Sequence, residues 1–158
     1  DDVRSMGRSA GGVRAITLDK DDEVVSMELD STGERELLVM TKKGFGKRTS
    51  LDEYRLQTRG GKGVSTYDKT KFSKTGELVG ATLVSKDDEI MLINSNGVII
   101  RIRANEISKS GRTTQGVKIM KVESGDEIVS FAKVLDEDDA SKPMTKKEKA
   151  DSEQMTLV

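Results

Sequence analysis

The chain contains no cysteine, no histidine and no tryptophan. Without cysteine it forms no disulfide and has no thiolate nucleophile. Without histidine it lacks both the commonest metal ligand and the usual general base at neutral pH. No apolar run approaches the ~18 residues that a membrane-spanning helix needs. The Walker phosphate-loop, nucleophile-elbow and zinc-protease motifs are also missing. We therefore expect no catalytic residue, metal ligand or cofactor site on this segment, and no membrane contact.

Charge is abundant but unevenly distributed. Charged residues make up 35% of the chain, and the formal net charge is −1. Residues 1–120 hold 21 Lys/Arg against 18 Asp/Glu, whereas residues 121–158 hold 6 against 10. A polyanion responds to the local sign of charge more than to the total. The first part of the chain therefore remains a candidate for nucleic-acid binding despite its acidic average.

Three segments with the pattern Arg-x-x-x-Gly-Val recur at a period close to 53 residues. They occupy residues 8–13, 59–64 and 112–117. Gly44 and Gly97 are also one period apart, as are Arg48 and Arg101. A fixed period of this length indicates a repeat architecture in which neighbouring units bury a shared core.

Within each unit, short apolar runs alternate with glycine-containing turns, which is typical of antiparallel strands. The predicted strands are 23–29, 36–40, 46–49, 77–84, 90–93, 98–103, 117–120 and 127–135. No long helix is predicted. Several short strands in a unit of about 50 residues favour an all-β, propeller-like ring of blades.

The period divides the chain into the end of one blade, two full blades and a closing strand. The predicted bounds are 1–18, 19–70, 71–122 and 123–135. Two and a half blades do not close a ring, so we expect a partial ring and interpret the chain as a piece of a longer polypeptide. Residues 136–158 are highly charged with little apolar content, and their composition predicts a disordered acidic tail.

The strongest candidate site is the loop Gln57–Gly63. Its two cations, Arg59 and Lys62, can neutralise phosphate, and Gly60 and Gly61 allow the backbone to approach phosphate oxygens closely. Further cations stand at matching phases of the repeat. These candidate DNA contacts are Arg8, Lys47, Arg48, Arg101, Arg103 and Arg112. For Arg8 and Arg112, a structural role beside a glycine corner is an equally good interpretation.

Double-stranded DNA is the favoured ligand, because aromatic residues for stacking single strands make up only 3% of the chain. Phosphate contacts at regular spacing suit a bent duplex and do not depend on its base sequence. The alternative function is a propeller-type protein-interaction module without DNA binding, although few aromatics are present to form its hot spots. A segment that is inactive by itself is a third interpretation.

Four motifs in fixed order resemble one known family. Residues 2–8, 43–49, 57–63 and 106–117 resemble the C-terminal domain of the bacterial DNA gyrase A protein. The resemblance covers residues 1–135. The corresponding domain of topoisomerase IV is a less similar alternative. The family's signature box is Gln-Arg-Arg-Gly-Gly-Lys-Gly, from which this chain departs at Thr58.

The resemblance implies a β-pinwheel, a ring of blades with strands exchanged between neighbours, that wraps DNA around its basic rim. It also implies that the parent protein belongs to an ATP-dependent type IIA DNA topoisomerase, an isomerase that introduces negative supercoils. The implied partners are DNA, the gyrase B protein and the rest of the gyrase A protein. ATP and Mg²⁺ would act on other regions, and the implied location is the bacterial cytoplasm, at the chromosome.

The acidic tail, 136–158, has two interpretations. It could compete with DNA for the basic rim, as its sign suggests, or it could be a solubilising end.

Overall fold

The computed structural model describes residues 3–30, 33 and 35–134. The predicted tail therefore lies outside the described residues. The described part folds mainly into antiparallel strands, which confirms the all-β prediction. The strands are β1 (Glu36–Thr41), β2 (Phe45–Ser50), β3 (Leu78–Val84), β4 (Glu89–Asn94), β5 (Ile99–Arg103), β6 (Val117–Lys118) and β7 (Ile128–Val134).

Within residues 3–30, 33 and 35–134, helical structure is limited to short turns. One four-residue helix, α1, spans Phe72–Thr75, and 3-10 turns span Leu51–Glu53, Lys69–Lys71 and Ala104–Glu106. No helix in the described part of the chain has the length and apolar character to cross a membrane.

Two sheets repeat the same hairpin. The first sheet has the order β3-β1-β2-β6, and the second has the order β5-β4-β7. Glu36 pairs with Ser50 in the β1–β2 hairpin, and Glu89 pairs with Arg103 in the β4–β5 hairpin. Both members of the second pair lie 53 residues after those of the first. The register of the strands therefore reproduces the period seen in the sequence.

A segment of the second unit completes the first sheet. Strand β6 follows the second hairpin in sequence but pairs with β2 of the first sheet, through Phe45 with Lys118 and Gly46 with Val117. Just before it, Lys109 forms a parallel bridge with Arg48. We call residues 107–118 the exchange loop. The first sheet thus draws strands from both sides of residue 71, where the repeat period placed a blade boundary.

The core lies where the sheets meet. Strand β3 lies against β7, and Gly80 of β3 leaves space for the ring of Phe131 in β7, which an added Cβ would approach to 3.3 Å. Apolar side chains from both hairpins and from the exchange loop are removed from water together, which is the main stabilising contribution. They include Leu38, Met40, Val84, Ile90, Leu92, Ile107, Met120 and Ile128.

The predicted strand 23–29 is wrong, because this segment forms no backbone ladder in the structure. The segment lies beside β3 through a side-chain hydrogen bond from Ser26 Oγ to the carbonyl oxygen of Ala81, 2.6 Å long. Its apolar residues Met27 and Leu29 are more than 80% exposed. Alternating apolar residues do not make a strand unless their backbone also pairs with a neighbouring strand.

Gly44 and Gly97 occupy the same hairpin position one period apart, with φ of 78° and 79°. An added Cβ at Gly44 would overlap the carbonyl oxygen of Met120, whereas at Gly97 it would meet open space. We expect Gly97→Ala to cost about 1–2 kcal/mol in unfolding free energy, for the left-handed backbone alone. Gly44→Ala should cost at least about 2 kcal/mol more, because the added Cβ also displaces the backbone of Met120, next to the exchange loop. Urea unfolding of both variants measures the difference, and equal costs would contradict the described packing.

Candidate nucleic-acid interface

Lys47 is a buried cation that holds the exchange loop. Its side chain is 0% exposed within β2. Nζ donates hydrogen bonds to the carbonyl oxygens of Gly111, at 2.7 Å, and Arg112. A longer bond of 3.4 Å reaches Thr114 Oγ1. Burial lowers the pKa of Lys47 to about 8, against the opposing charge of Glu53. The three donors of the ammonium group thus serve the loop and leave none for an external phosphate.

Arg48 is buried next to it and is 7% exposed. Its guanidinium forms an ion pair with Glu36, and Nε donates to the carbonyl oxygen of Ile107 at 2.8 Å. Glu36 also pairs with Lys109 at 2.9 Å. Burial raises the pKa of Glu36, but Lys109 and Arg48 outweigh burial, so its pKa lies below the ordinary value.

Lys47 and Arg48 were expected to contact phosphate, and the structure contradicts that expectation. The exchange loop covers both side chains, and its backbone also pairs with that of Arg48. The Arg48 N–H donates to the carbonyl oxygen of Ser108 at 3.1 Å, and the Ser110 N–H donates to the carbonyl oxygen of Arg48 at 2.9 Å. A phosphate could reach these side chains only if the exchange loop left β2. We therefore assign both residues to holding neighbouring units together.

Arg101 and Arg103 keep the surface position that the sequence predicted. Their side chains are 53% and 66% exposed. Arg101 forms an ion pair with Glu89, and Arg103 lies 3.8 Å from the same carboxylate. Arg101 and Glu89 are the repeat equivalents of Arg48 and Glu36. The same ion pair is therefore buried in one sheet and exposed in the other.

The loop 57–63 presents Arg59 and Lys62 to solvent. Gly60 has φ of 78°, a conformation that favours glycine. Its N–H donates to the carbonyl oxygen of Ala15 at 2.7 Å, so it is not free for a phosphate oxygen. Gly61 is exposed, and its carbonyl oxygen accepts from the Thr17 N–H at 2.8 Å. Of the two glycines, only Gly61 fits the predicted close approach to a phosphate.

Lys62 already has an anionic partner. Its Nζ pairs with the carboxylate of Asp19, and both side chains are about two-thirds exposed. The hydrogen bond between them raises the pKa of Lys62 and lowers that of Asp19. Exposed pairs of this kind contribute little to stability, so a phosphate can displace Asp19 at small cost.

Arg8 and Arg112 differ in their surroundings. Arg8 is exposed beside a turn in which the Ala10 N–H donates to Gly7. The guanidinium of Arg112 donates to the carbonyl oxygen of Ser65, and its backbone N–H donates to Glu53 at 2.7 Å. These bonds favour the structural interpretation for Arg112 and leave Arg8 as a surface cation.

Sequence reasoning missed two lysines that lie over the ring of Phe45. Lys118 Nζ and Lys74 Nζ lie 5.1 and 5.7 Å from the centroid of this ring. Lys43 lines the same concavity, which has a volume of about 410 Å³. Cations over an aromatic face are held in a preferred position. The group has no counterpart one period later, where Val98 replaces Phe45, so the repeat pattern gave no signal of it. The lysine-rich run 69–74 was the available signal.

The described residues contain no cluster of acidic side chains that could hold a metal ion.

Comparison with known proteins points to one family. A model described as "DNA gyrase C-terminal domain, beta-propeller" matches residues 1–29, 35–85 and 88–134. The DNA gyrase A protein of Staphylococcus epidermidis is 44% identical over 138 residues, which is 87% of this chain and 15% of the relative. The gyrase A protein of Thermotoga maritima is 45% identical over 135 residues, with coverages of 85% and 16%. The chain thus spans about one-sixth of the length of these relatives.

Solved structures agree with the sequence comparisons. A DNA gyrase A C-terminal domain matches with a TM-score of 0.75 and 30% identity, covering 85% of this chain and 45% of that one. A C-terminal domain of DNA topoisomerase IV matches with a TM-score of 0.78 and 25% identity, with coverages of 98% and 46%. The propeller-like prediction of the fold is confirmed.

Lys47 predicts a distinct pH dependence of stability. Because its pKa is about 8 in the folded chain and near 10.4 when unfolded, the unfolded chain binds more protons between these values. Its contribution to the unfolding free energy should therefore rise with pH in this window, by about 1–2 kcal/mol between pH 8 and 9.5. Urea unfolding of the wild type and Lys47→Met tests this. A rise of equal size in both proteins would exclude Lys47 as its source.

The two equivalent arginines should differ in their contribution to stability. Arg48→Ala leaves a buried carboxylate with one partner fewer, and we expect a loss of about 3 kcal/mol. Arg101→Ala removes an exposed pair and should cost about 1 kcal/mol or less. Thermal unfolding of both variants provides the comparison, with each serving as the matched control for the other. Similar losses would mean that Arg48 is not buried as described.

Proposed function

The chain belongs to the DNA gyrase C-terminal domain family, and from that membership we propose that it binds double-stranded DNA without strong sequence preference and wraps it. The observation that carries the proposal is the exposed glycine loop with Arg59 and Lys62. This loop resembles the family's signature box at six of seven positions. Phosphate contacts of this kind supply affinity and carry no direct sequence information.

The proposed contacts fall on two parts of the surface. The first is the loop 57–63, through Arg59, Lys62 and the exposed backbone of Gly61. Arg8, at the position equivalent to Arg59 in the preceding copy of the repeat, is a further candidate. The second comprises exposed cations on the two sheets, on the turn between β1 and β2, and on α1. These are Lys43, Lys74, Lys118, Arg101 and Arg103. Lys47 and Arg48 support this surface from inside and do not touch the ligand.

Wrapping requires that the contacts keep their spacing while the DNA is bent. Bending a 20–30 base-pair site costs on the order of 1–6 kcal/mol, which the contacts must offset. The exchange loop joins the two sheets through buried hydrogen bonds, so the cations are held on a stiff support. A stiff support converts phosphate binding into curvature of the DNA.

The parent protein would act within a gyrase. We propose that this domain supports ATP-dependent negative supercoiling by a type IIA topoisomerase, together with the gyrase B protein and the rest of the gyrase A protein. ATP and Mg²⁺ would be used on regions outside this chain. The proposed location is the bacterial cytoplasm, at the chromosome.

The aromatic residues argue for DNA over a protein partner. All five lie within the described residues and are buried or half-buried. They are Phe45, Tyr54, Tyr67, Phe72 and Phe131. Protein-binding hot spots are enriched in accessible Tyr and Trp, and single-stranded nucleic acid needs stacking rings. Neither requirement is met on this surface.

Fluorescence anisotropy with two unrelated duplexes over a range of salt concentrations tests the proposal. If the chain neutralises about 6–10 phosphates, affinity should fall roughly 10³–10⁵-fold between 50 and 200 mM salt. Arg59→Ala/Lys62→Ala should weaken binding to both duplexes alike and reduce the salt slope by about 2, since each phosphate contact contributes about 0.9.

The matched control is Lys86→Ala/Lys121→Ala, which removes the same charge from exposed positions outside the proposed site. Its salt slope should remain close to that of the wild type. Absence of binding by the wild type at low salt would overturn the proposed function. An equal effect of both double variants would overturn only the assignment of Arg59 and Lys62.

A further inference from the structure

The turn that follows the Arg-x-x-x-Gly-Val pattern is longer in the middle copy than in the other two. In the first and third copies, the glutamate that ends the turn comes 11 positions after the glycine of the pattern. These pairs are Gly12 with Glu23 and Gly116 with Glu127. In the middle copy, Glu77 comes 14 positions after Gly63. The middle copy therefore carries three additional residues just ahead of β3.

The longer turn also has the opposite charge. Residues 17–22 of the first copy hold one lysine against three aspartates, and residues 121–126 of the third hold one lysine against two acids. The equivalent residues 68–76 of the middle copy hold three lysines against the single Asp68. These lysines are Lys69, Lys71 and Lys74. The net charge of the turn is thus −2 and −1 in two copies and +2 in the middle one. We call residues 68–76 the basic insertion.

The basic insertion is held firmly against the first sheet. It forms a 3-10 turn followed by α1. The ring of Phe72 stacks on that of Tyr67, with the centroids 6.0 Å apart. Thr75 is fully buried, and its carbonyl oxygen accepts from the Lys43 N–H at 3.0 Å. Lys43 Nζ donates to the carbonyl oxygen of Ser73 at 2.6 Å. The lysines of the insertion are therefore presented from a fixed backbone, so a ligand has little chain to order when it binds.

Two of these lysines have charges that the fold does not use. The side chains of Lys69 and Lys71 are exposed, and within the described part of the chain no hydrogen bond or ion pair engages their ammonium groups. Lys62, in contrast, is paired with Asp19. An ammonium group without such a partner binds a phosphate without first giving up another contact.

One end of the basic insertion lies beside the loop 57–63. The hydrogen bond with Lys62 lowers the pKa of Asp19, and the positive charge of Lys69 lowers it further. Lys62 and Lys69 therefore act on the same carboxylate from two different segments. A phosphate that takes the place of this carboxylate is attracted by both cations.

The other end of the insertion lies at the concavity around Phe45. Lys74 and Lys118 both lie over this ring, and Lys43 lines the same concavity. Residues 122–126, from the acidic turn of the third copy, line it as well. The exposed lysines thus form a row from the loop 57–63 to Phe45, and the row ends where the next acidic turn begins.

We infer that the basic insertion binds the DNA backbone between the loop 57–63 and the lysines at Phe45, with Lys69 and Lys71 as phosphate contacts. This inference rests on the proposed function and adds the route that the duplex follows over the chain. The equivalent turns of the other two copies are acidic and repel phosphate. The three copies of the repeat are therefore not equal in DNA binding, and the middle copy has a contact that the others lack.

Lys69→Gln/Lys71→Gln tests the inference by fluorescence anisotropy of the full chain with two unrelated duplexes. Each phosphate contact contributes about 0.9 to the slope of log affinity against log salt, so the loss of two contacts should lower the slope by about 1.8. The loss of affinity should therefore be about tenfold larger at 50 mM than at 200 mM salt, and equal for both duplexes. The melting temperature should not fall, because neither side chain has a partner in the described fold.

Lys86→Gln/Lys121→Gln is the matched control, since it removes the same charge from exposed positions outside the insertion. Its slope should equal that of the wild type. If Lys69→Gln/Lys71→Gln has the same slope as this control, the role of the insertion is refuted while the proposed function stands. Absence of DNA binding by the wild type refutes both.

A tethered cleavage reagent locates the contact directly. Because the chain contains no cysteine, one introduced cysteine carries a label at a single position. Ser73→Cys, on α1, and Ser130→Cys, on β7, are both exposed positions. With iron–EDTA attached, the label at position 73 should cut the bound duplex and the label at position 130 should cut it much less. Cleavage that is no stronger from position 73 than from position 130 would overturn the inference.

Discussion

The pairing of the exchange loop with β2 determines how the rest of this structure is organised. Without it, β2 would expose its outer edge, Lys47 would lose the carbonyl oxygens of Gly111 and Arg112, and Arg48 would lose that of Ile107. With it, a loop from the second unit completes the first sheet and contributes Ile107 to the core. Stability therefore resides in the contact between units as much as within each unit, which is the expected behaviour of repeat proteins.

This arrangement divides the cations of the chain into two groups. The first group donates its hydrogen bonds to backbone and carboxylate groups of neighbouring segments. It consists of Lys47, Arg48 and Arg112. The second group remains exposed and has at most weak partners at the surface. Its members are Arg59, Lys62, Arg101 and Arg103. The first group fixes the spacing of the units, and the second is available to a polyanion. The proposed DNA wrapping needs both, because curvature requires a rigid frame as well as phosphate contacts.

Much of the fold could be predicted from the sequence, because the repeat is visible in local patterns. The hairpins around Gly44 and Gly97 follow from alternation and turn glycines, and their register follows from the 53-residue period. The burial of Lys47 and Arg48 could not be predicted, since the chain that covers them lies about 60 residues away in sequence. Lys74 and Lys118 beside Phe45 were missed for a similar reason, because they lie 29 and 73 residues after Phe45 in the sequence. The segment 23–29 had the composition of a strand but does not form a ladder with β3.

Amide hydrogen exchange tests the central claim most directly. Arg48 and Arg101 occupy the same strand position, and only the Arg48 amide is bonded to the exchange loop. The account predicts that the Arg48, Ser110 and Ile119 amides exchange only through global unfolding, whereas the Arg101 amide exchanges rapidly. Equal exchange rates at Arg48 and Arg101 would contradict it, because the exchange loop would then not cover the edge of β2.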